Sequence, residues 1–330
     1  MKLLVYGAGV CGSLFAARMH QAGHDVSLLA RGERLTALRR HGVRLAEADG
    51  PAVERVPVPV VAHPDSGYDL ITVFVRTHQV EAALASLAGV RGDVLFLLNW
   101  AAGPETLGAV LGHERVLLGF PMTGGTMDGD VVRHRKSSLV TRRVAMPIGE
   151  PDGRTTPRLE RIVATFRTAG LNAKAEPRMD AWLRTHAAFE VPLGQAVHAA
   201  GGPAALADDP DAVRSMLHVV RQNLAALQTP PVPRAFTALR ALPQGLPRGR
   251  APALPEEPDS RAQRTQRLLA RHDGRTQAAG RTARCRCVIP AFTQERGRVR
   301  GSAAGAGRPY GGSATAGGGR PAGRSAGAGR

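Results

Sequence analysis

The most constraining feature of this sequence is a glycine-rich turn near its start, Gly7-Ala8-Gly9-Val10-Cys11-Gly12. The apolar residues 3–6 precede the turn, and apolar residues at intervals of three and four follow it as far as residue 21. This order predicts a buried strand, a tight turn and a helix, and residues 26–30 predict a second buried strand. A chain with this beginning is expected to fold as a β-α-β unit.

A secretory signal peptide is the alternative interpretation of the same stretch, because Lys2 is followed by mostly apolar residues that end in Ala16-Ala17. A cleaved leader would not continue into a second strand, and its apolar segment would rarely contain three glycines. We therefore reject the leader and expect a cytoplasmic protein. No apolar run in the sequence reaches the roughly 18 residues that span a bilayer, so no membrane association is expected.

The spacing of the three glycines suits the pyrophosphate of a dinucleotide. Gly7 allows the tight turn, Gly9 lets the backbone approach the phosphates, and Gly12 lets the helix pack close to the sheet. The pyrophosphate then lies at the helix N-terminus, where unpaired N–H groups favour negative charge. The predicted cofactor site therefore includes the whole turn, with Ala8, Val10 and Cys11 between the glycines.

The end of the second predicted strand indicates which dinucleotide binds. An NAD site usually places an acidic residue about 20 residues further on, where it binds the ribose 2′-hydroxyl. Arg31 holds that place here, and Arg34 follows one helical turn later. An arginine suits a 2′-phosphate, which a carboxylate would repel, so the sequence predicts NADP(H) as the cofactor. The alternative is a solvated surface arginine.

Two further polar residues follow strands of the same predicted sheet. Residues 69–75, 93–98 and 115–120 each predict a buried strand; Arg76 follows the first of these and Asn99 the second. Ligands of open α/β sheets bind outside the carboxyl ends of the strands. We therefore expect Arg76 and Asn99 to lie near the glycine turn and Arg31.

The pattern predicts an α/β protein with two domains and a tail. Residues 1–150 are expected to form a Rossmann-type dinucleotide-binding domain, with a β-hairpin excursion around Asp49-Gly50. Residues 151–228 predict the start of an all-α second domain, which is incomplete. Its three helices are expected at residues 154–168, 180–198 and 210–227. Pro192 should kink or end the second of them.

Residues 229–330 differ in composition from the rest of the chain. After residue 230 lie 19 of the 44 basic residues and 5 of the 27 acidic ones, so the first 230 residues account for only +3 of the net charge of +17. A segment this rich in Arg, Gly, Ala and Pro is expected to be disordered. Two explanations remain open: a genuine tail that binds RNA non-specifically, or an out-of-frame translation of GC-rich DNA. The few aromatic residues argue against base recognition.

The cysteines predict neither a disulfide framework nor a metal site. Cys11 lies inside the glycine turn, whereas Cys285 and Cys287 are far away in the tail. A Cys-x-Cys pair without a second pair or a nearby histidine is a poor metal site. We therefore expect no metal.

The motifs of the first 228 residues occur in the order found in a known family. After the glycine turn they are HDVSLLAR, FVRTHQVEAAL, LLNWAAGPETL, ERVLLGF, TGGTMDGDVVRH and DAWLRTHAAFEVPLGQAV. This set resembles the ketopantoate reductase-like proteins, the NADPH-dependent 2-dehydropantoate 2-reductases of pantothenate biosynthesis. The resemblance implies a Rossmann domain, a helical domain, a 2-keto acid bound between them, and hydride transfer from NADPH. It also allows a homodimer formed through the helical domain.

The resemblance assigns roles to individual residues. The three glycines and Arg31 match cofactor positions, and Arg76 stands where the family commonly has a lysine near the adenosine phosphate. Asn99 matches an asparagine near the nicotinamide and the substrate, although Trp100 replaces its usual glycine neighbour. The alternative role of Asn99 is a cap at the end of a strand.

In this family one helix carries the general acid, and the corresponding helix of this chain departs from the family pattern. The family has a general-acid lysine two residues after a tryptophan and an asparagine four residues further on; the corresponding residues here are Trp182, Arg184 and Ala188. An arginine does not give up a proton usefully in a protein. Arg184 would therefore polarise a keto oxygen or bind a carboxylate.

His186 is a candidate for the missing acid, because histidines ordinarily titrate near neutral pH. Glu190 lies one helical turn further on and could orient it. The alternative is a packed core histidine, since His186 shares a helix face with Trp182 and Phe189. Arg184, His186 and Asn99 are therefore the candidate catalytic residues.

The sequence as a whole predicts an oxidoreductase that uses NADP(H) to reduce a small 2-keto acid. The alternative is a family member that binds NADP(H) but is catalytically impaired or truncated. The expected partners are the small-molecule substrate and a second copy of the chain.

Overall fold

A computed structural model describes residues 1–135, 144–233 and 236. These residues all belong to one structural unit, Met1–Gly249. The predictions for residues 237–330, with Cys285 and Cys287, lie outside the described residues. The domain boundaries proposed from the sequence remain predictions.

Twelve strands and eight α-helices are described. In chain order the strands are β1 (Lys2–Tyr6), β2 (Asp25–Leu29), β3 (Val43–Glu47), β4 (Val53–Val56), β5 (Val60–Val61), β6 (Leu70–Val73), β7 (Asp93–Leu97), β8 (Val116–Gly119), β9 (Gly125–Asp128), β10 (Val131–His134), β11 (Met146–Gly149) and β12 (Ala173–Ala175). The helices are α1 (Val10–Gln21), α2 (Gly32–His41), α3 (Val80–Leu87), α4 (Glu105–Leu111), α5 (Pro157–Thr168), α6 (Met179–Ala199), α7 (Pro203–Ala207) and α8 (Pro210–Ala226).

Eight of the strands form one sheet, in the order β12-β11-β8-β7-β6-β1-β2-β5. β11 is antiparallel to β8, and the other neighbouring pairs of this sheet are parallel. Parallel strands joined by helices bury both faces of a sheet, which explains why the strands are continuous apolar runs in the sequence. The α/β, Rossmann-type fold predicted from the glycine turn is confirmed.

Alternate residues of β1 belong to two separate hydrophobic clusters. Leu3 and Val5 pack on one face of the sheet with residues of α1 and α5. Leu4 and Tyr6 pack on the other face with residues of α3, α4 and the start of α6. This alternation is the period of two expected of a strand, and through it β1 packs against the helices on both faces of the sheet.

A smaller sheet has the order β4-β3-β10-β9. β3 and β4 form the antiparallel hairpin predicted around Asp49-Gly50, and β9 and β10 form a second antiparallel pair. β10 joins the two hairpins by pairing in parallel with β3. The ion pair between Arg44 and Asp130, at 2.6 Å, links the same two hairpins. The sequence did not predict this joining, because the paired residues are distant along the chain.

The three helices predicted after residue 150 are present as α5, α6 and α8. α6 continues through Pro192, so of the two predicted effects of this proline, a kink or an end of the helix, the end is wrong and the kink stays a prediction. Proline has no N–H to donate to the carbonyl four residues earlier, which is that of Ala188. In this structure Asn223 of α8 donates its side-chain Nδ2 to the Ala188 carbonyl at 3.4 Å. A neighbouring helix thus supplies the donor that the proline lacks.

Replacing Asn223 with alanine should lower the free energy of unfolding by about 1 kcal/mol, because the Ala188 carbonyl loses its donor. In the P192A variant, residue 192 regains an N–H that can donate to the Ala188 carbonyl. The N223A change should therefore lower the free energy of unfolding of P192A by no more than about half of what it costs wild type. Urea unfolding of the four proteins measures this double-mutant cycle, and Q222A, at an exposed neighbouring amide, is the control. An equal cost in both backgrounds would contradict the pairing.

Candidate functional site

The glycine turn has the steric properties that its spacing predicts. Gly7 has a φ of +113°, and a Cβ added there would lie 2.3 Å from the Phe74 carbonyl oxygen. A Cβ on Gly12 would lie 1.9 Å from the carbonyl oxygen of Gly7. A Cβ on Gly9 would meet no atom of the described residues within 4 Å. The fold thus requires glycine at the first and third positions, and the second faces open space.

Helix α1 begins at this open space. Gly9 is its N-cap residue, and the described residues provide no side-chain cap there. The first N–H groups of the helix are therefore in a position to bind an anion. The open space at Gly9 and the uncapped N–H groups at the start of α1 both fit the pyrophosphate of a dinucleotide.

The three residues between the glycines support the turn from the protein side. Ala8, Val10 and Cys11 pack against the hydrophobic cluster beneath the sheet. The Cys11 thiol donates to the carbonyl oxygen of Thr123 at 3.3 Å, and burial raises the pKa of this thiol.

Arg31 lies at the carboxyl end of β2 and is exposed. Its Nη2 donates to the hydroxyl of Tyr6 at 2.7 Å, and the guanidinium lies 5.6 Å from the centre of the Tyr6 ring. The Tyr6 hydroxyl is in turn 2.9 Å from the hydroxyl of Ser86. Tyr6, whose hydroxyl also contacts Ser86, therefore holds the guanidinium of the exposed Arg31.

Arg34 lies one turn after Arg31 but contacts different groups. Its Nε donates to the Ala8 carbonyl at 3.2 Å, and its Nη2 donates to the Ser13 hydroxyl at 3.1 Å. Its Nη1 donates to the backbone carbonyl of Asp130 at 2.9 Å. Arg34 is therefore bound to the protein side of the glycine turn, whereas Arg31 extends from the sheet edge.

Arg76 and Asn99 follow the neighbouring strands β6 and β7. The Arg76 backbone N–H donates to the Gln79 side chain at 3.0 Å, which shapes the turn after β6. The Thr77 hydroxyl donates to the Asn99 carbonyl at 3.0 Å and joins the two loops. The structure therefore brings Gly7, Arg31, Arg76 and Asn99 to the carboxyl ends of four adjacent strands.

Asn99, His186 and Glu190 form a polar cluster between this edge and helix α6. The Asn99 side chain lies near enough to the Glu190 carboxylate to contribute to its lowered pKa. Nε2 of His186 lies 2.6 Å from Oε2 of Glu190, close enough for an ion pair although poorly angled for a hydrogen bond. The interaction with His186 is the main cause that lowers the pKa of Glu190, with a smaller contribution from Asn99, and burial opposes both.

Two aromatic rings enclose His186. The imidazole stacks on Trp182 with ring centres 4.9 Å apart, and the Phe120 ring centre is 4.2 Å away. Phe120 follows β8, so the wall is built by the sheet and the helix together. His186 is therefore packed among aromatic rings and also lies within ion-pair distance of the Glu190 carboxylate, which combines the two interpretations of its sequence position.

Arg184 makes different contacts, at the loop after Asn99. Its Nε donates to the Asp180 carboxylate at 2.9 Å, and a Cβ added to Gly103 would lie 3.0 Å from its Nη2. The loop is closed by the Trp100 indole, which donates to the Gly103 carbonyl at 2.6 Å. Arg184 thus carries a positive charge, shared with Asp180, at the loop that Asn99 begins.

Three of these contacts have no signal in the sequence. The role of Phe120 depends on the crossing of β8 and α6, and that of Ser13 depends on Arg34 turning toward it. The link between Asn99 and Glu190 joins residues on different elements. The i, i+4 spacing of His186 and Glu190 was the one signal available from the sequence.

The parallel sheet, the glycine turn and the open space at Gly9 define a Rossmann-type dinucleotide-binding domain. Residues 3–143 match the model of the family described as ketopantoate reductase PanE/ApbA. This match and the curated relatives confirm the resemblance carried by the sequence motifs.

Curated relatives agree with the family. A 2-dehydropantoate 2-reductase of Archaeoglobus fulgidus is 29% identical over 174 residues, which cover 53% of this chain and 55% of that protein. A 2-dehydropantoate 2-reductase of Mesorhizobium japonicum is 26% identical over 211 residues, which cover 56% of this chain and 63% of that protein. The chain thus spans less than two thirds of the length of either relative.

Solved structures share the fold over a longer stretch. A 2-dehydropantoate 2-reductase from Geobacter metallireducens has a TM-score of 0.58 at 21% identity and covers 75% of this chain and 85% of its own. D-mandelate dehydrogenase, solved with NADH and anilino(oxo)acetate, has a TM-score of 0.60 at 19% identity and covers 73% of this chain and 79% of its own. At these identities the likeness shows a common fold.

No helix in the described part of the chain has both the length and the apolar character needed to cross a membrane.

Replacing Glu190 with glutamine should remove one source of acid sensitivity. The folded pKa of Glu190 is lowered, so its contribution to stability is present above the unfolded pKa of about 4.3 and is lost as the pH falls through the folded value. Because the Glu190 side chain is 43% exposed, we expect E190Q to cost only about 0.5 kcal/mol at pH 6 and less at pH 3. Denaturant unfolding at both pH values measures this.

E160Q, at an exposed glutamate of α5, is the control for E190Q. A cost of E190Q that is the same at pH 3 and pH 6 would show that the carboxylate charge is not its source.

Proposed function

We propose that the protein is an NADPH-dependent reductase of a small 2-keto acid, related to the 2-dehydropantoate 2-reductases. One observation carries the proposal: the cluster of Asn99, His186 and Glu190 lies at the same edge of the sheet as the glycine turn. A cofactor site and a proton-donating group at one edge are what a carbonyl reduction needs. The family match and the names of the relatives support the same reaction class.

The residues present fit NADP(H). The pyrophosphate would bind at Gly9 and the start of α1, and the 2′-phosphate would bind the exposed guanidinium of Arg31 with Arg76 nearby. Asn99 would lie near the nicotinamide. When bound, this cofactor supplies the hydride that adds to the keto carbon. Use of NADH by D-mandelate dehydrogenase, which has the same fold, supports a nicotinamide dinucleotide in general, and Arg31 is the reason to propose the phosphorylated form.

His186 is our candidate for the proton donor. As the keto oxygen gains negative charge, the imidazolium would donate a proton to it and leave the hydroxy acid. The Glu190 carboxylate stabilises the protonated ring, and the rings of Trp182 and Phe120 restrict its orientation. Asn99, whose side chain contributes to the lowered pKa of Glu190, would help to place that carboxylate.

Arg184 would bind the substrate carboxylate. Its guanidinium lies at the loop that follows Asn99, and its present partner is the Asp180 carboxylate. An arginine binds a carboxylate through two parallel hydrogen bonds, which suits a 2-keto acid. Because this helix has Arg184 and Ala188 at positions that differ from the family pattern, we propose the substrate class and leave 2-dehydropantoate as one member of it.

The second candidate function is NADP(H) binding without turnover. The observation that favours it is the coverage of less than two thirds of the curated relatives. The glycine turn and Arg31 would bind a dinucleotide whether or not the chain also encloses a substrate.

The distinguishing experiment uses the full chain. NADPH oxidation is followed by absorbance with 2-dehydropantoate, pyruvate and phenylglyoxylate, and NADPH affinity is measured by fluorescence in parallel. Turnover of at least one 2-keto acid, with NADPH preferred over NADH, is the result expected for the reductase. NADPH binding without turnover of any of them would favour the second function, and failure to bind either dinucleotide would overturn both.

His186→Asn should lower kcat about a hundredfold and leave the affinity for NADPH unchanged, because the variant lacks the proton donor and keeps the glycine turn. The limb of the pH–rate profile that reports the acid should also disappear. H198N, at an exposed histidine near the end of the same helix, should behave as wild type. If H186N retains wild-type kcat, then His186 is a packing residue and the acid lies elsewhere.

A further inference from the structure

Arg34 is bound to the side of the glycine turn opposite to the proposed ligand. Its three guanidinium nitrogens donate to three different oxygens, on Ala8, Ser13 and Asp130. The Ser13 side chain is buried and its hydroxyl donates to the Ala8 carbonyl as well, at 3.1 Å. The Ala8 carbonyl therefore accepts from two side chains, which fix its direction.

Fixing this carbonyl also fixes an N–H group of the turn. A trans peptide unit is planar, and its C=O and N–H point in opposite directions. The Ala8 carbonyl and the Gly9 N–H belong to one such unit. Because the carbonyl points to Arg34 and Ser13, the Gly9 N–H points away from them.

None of these three contacts neutralises the positive charge of Arg34. All three acceptors are uncharged oxygens, and the nearby Asp130 carboxylate forms its ion pair with Arg44 at 2.6 Å. Burial lowers the pKa of Arg34, and the charge of Asp130 partly opposes this. Arginine side chains nevertheless remain protonated in proteins. A half-buried positive charge therefore lies directly behind the turn.

We propose that Arg34 is a positioning residue for the pyrophosphate: it orients the Gly9 N–H toward the ligand and adds positive charge behind the turn. This role differs from that of Arg31, which extends from the end of β2 and would bind only the 2′-phosphate. The inference rests on the proposed function only in requiring that the chain bind a dinucleotide, whether or not it turns one over.

The same contacts connect the turn to the smaller sheet. Arg34 holds the Asp130 carbonyl, between β9 and β10, while the Cys11 thiol holds the Thr123 carbonyl just before β9. Two bonds from the turn thus reach both ends of the segment that contains β9. Loss of Arg34 would release one of them and loosen the turn on the protein side.

The test compares dissociation constants of NADPH and NADH for wild type, R34Q and R31Q, by fluorescence titration. R34Q should weaken both dinucleotides by about the same factor, about tenfold, because both contain the pyrophosphate. R31Q should weaken NADPH and leave NADH nearly unchanged. Equal affinities of wild type and R34Q, or a loss in R34Q confined to NADPH, would overturn the inference.

A second probe separates positioning from general damage to the fold. Adenosine 2′-monophosphate lacks the pyrophosphate, so it should bind R34Q as it binds wild type. If R34Q weakens this ligand as strongly as NADPH, Arg34 has only a structural role. The melting temperature of each variant shows whether it is folded.

If R34Q does not fold, the R34K variant tests whether Arg34 positions the pyrophosphate. Lysine keeps the charge but cannot reach three acceptors at once, so both dinucleotides should weaken by the same factor, about threefold. Unchanged affinity for both dinucleotides, or a loss confined to NADPH, would overturn the inference.

The wild-type protein separates this inference from the proposed function. Wild type that binds NADPH but reduces no 2-keto acid would refute the proposed reductase and leave the role of Arg34 testable by the same titrations. Wild type that binds neither dinucleotide would refute both the proposed function and the role of Arg34.

Discussion

The close approach of helix α1 to the turn that precedes it is the constraint on which the rest of the structure depends. A Cβ on Gly12 would lie 1.9 Å from the Gly7 carbonyl oxygen, so the helix reaches this position only because residue 12 lacks a side chain. This contact sets the start of α1 at the carboxyl end of β1. The open space at Gly9 and the unpaired N–H groups of the helix follow from it.

The parallel sheet then gathers the other site residues at the same edge. Parallel strands present their carboxyl ends on one side, so the loops after β2, β6, β7 and β8 all open beside the glycine turn. Arg31 and Asn99 reach the site in this way, and Phe120 does so without any sign in the sequence. Binding groups and candidate catalytic groups therefore share an edge, although they come from separate stretches of the chain.

Helix α6 completes the cluster and also departs most from the family pattern. The link from Asn99 to Glu190 connects the sheet edge to this helix, and Asn223 of α8 satisfies the carbonyl that Pro192 leaves without a donor. The residues proposed for dinucleotide binding thus follow the family pattern closely, whereas those proposed for catalysis are a different set of side chains. Dinucleotide binding and proton donation therefore depend on separate groups of residues in the proposed site.

The sequence by itself determined the fold of the N-terminal domain and the nature of its turn, because glycine spacing and buried apolar runs are local signals that a β-α-β unit requires. It also placed α5, α6 and α8 through their periodicity. Only the tertiary structure decided what Arg34, Phe120 and Asn223 contact, and that α6 passes through Pro192. Each of those outcomes depends on a side chain meeting a carbonyl, a hydroxyl or a ring from another element, and contacts between distant segments leave no periodic pattern in the sequence.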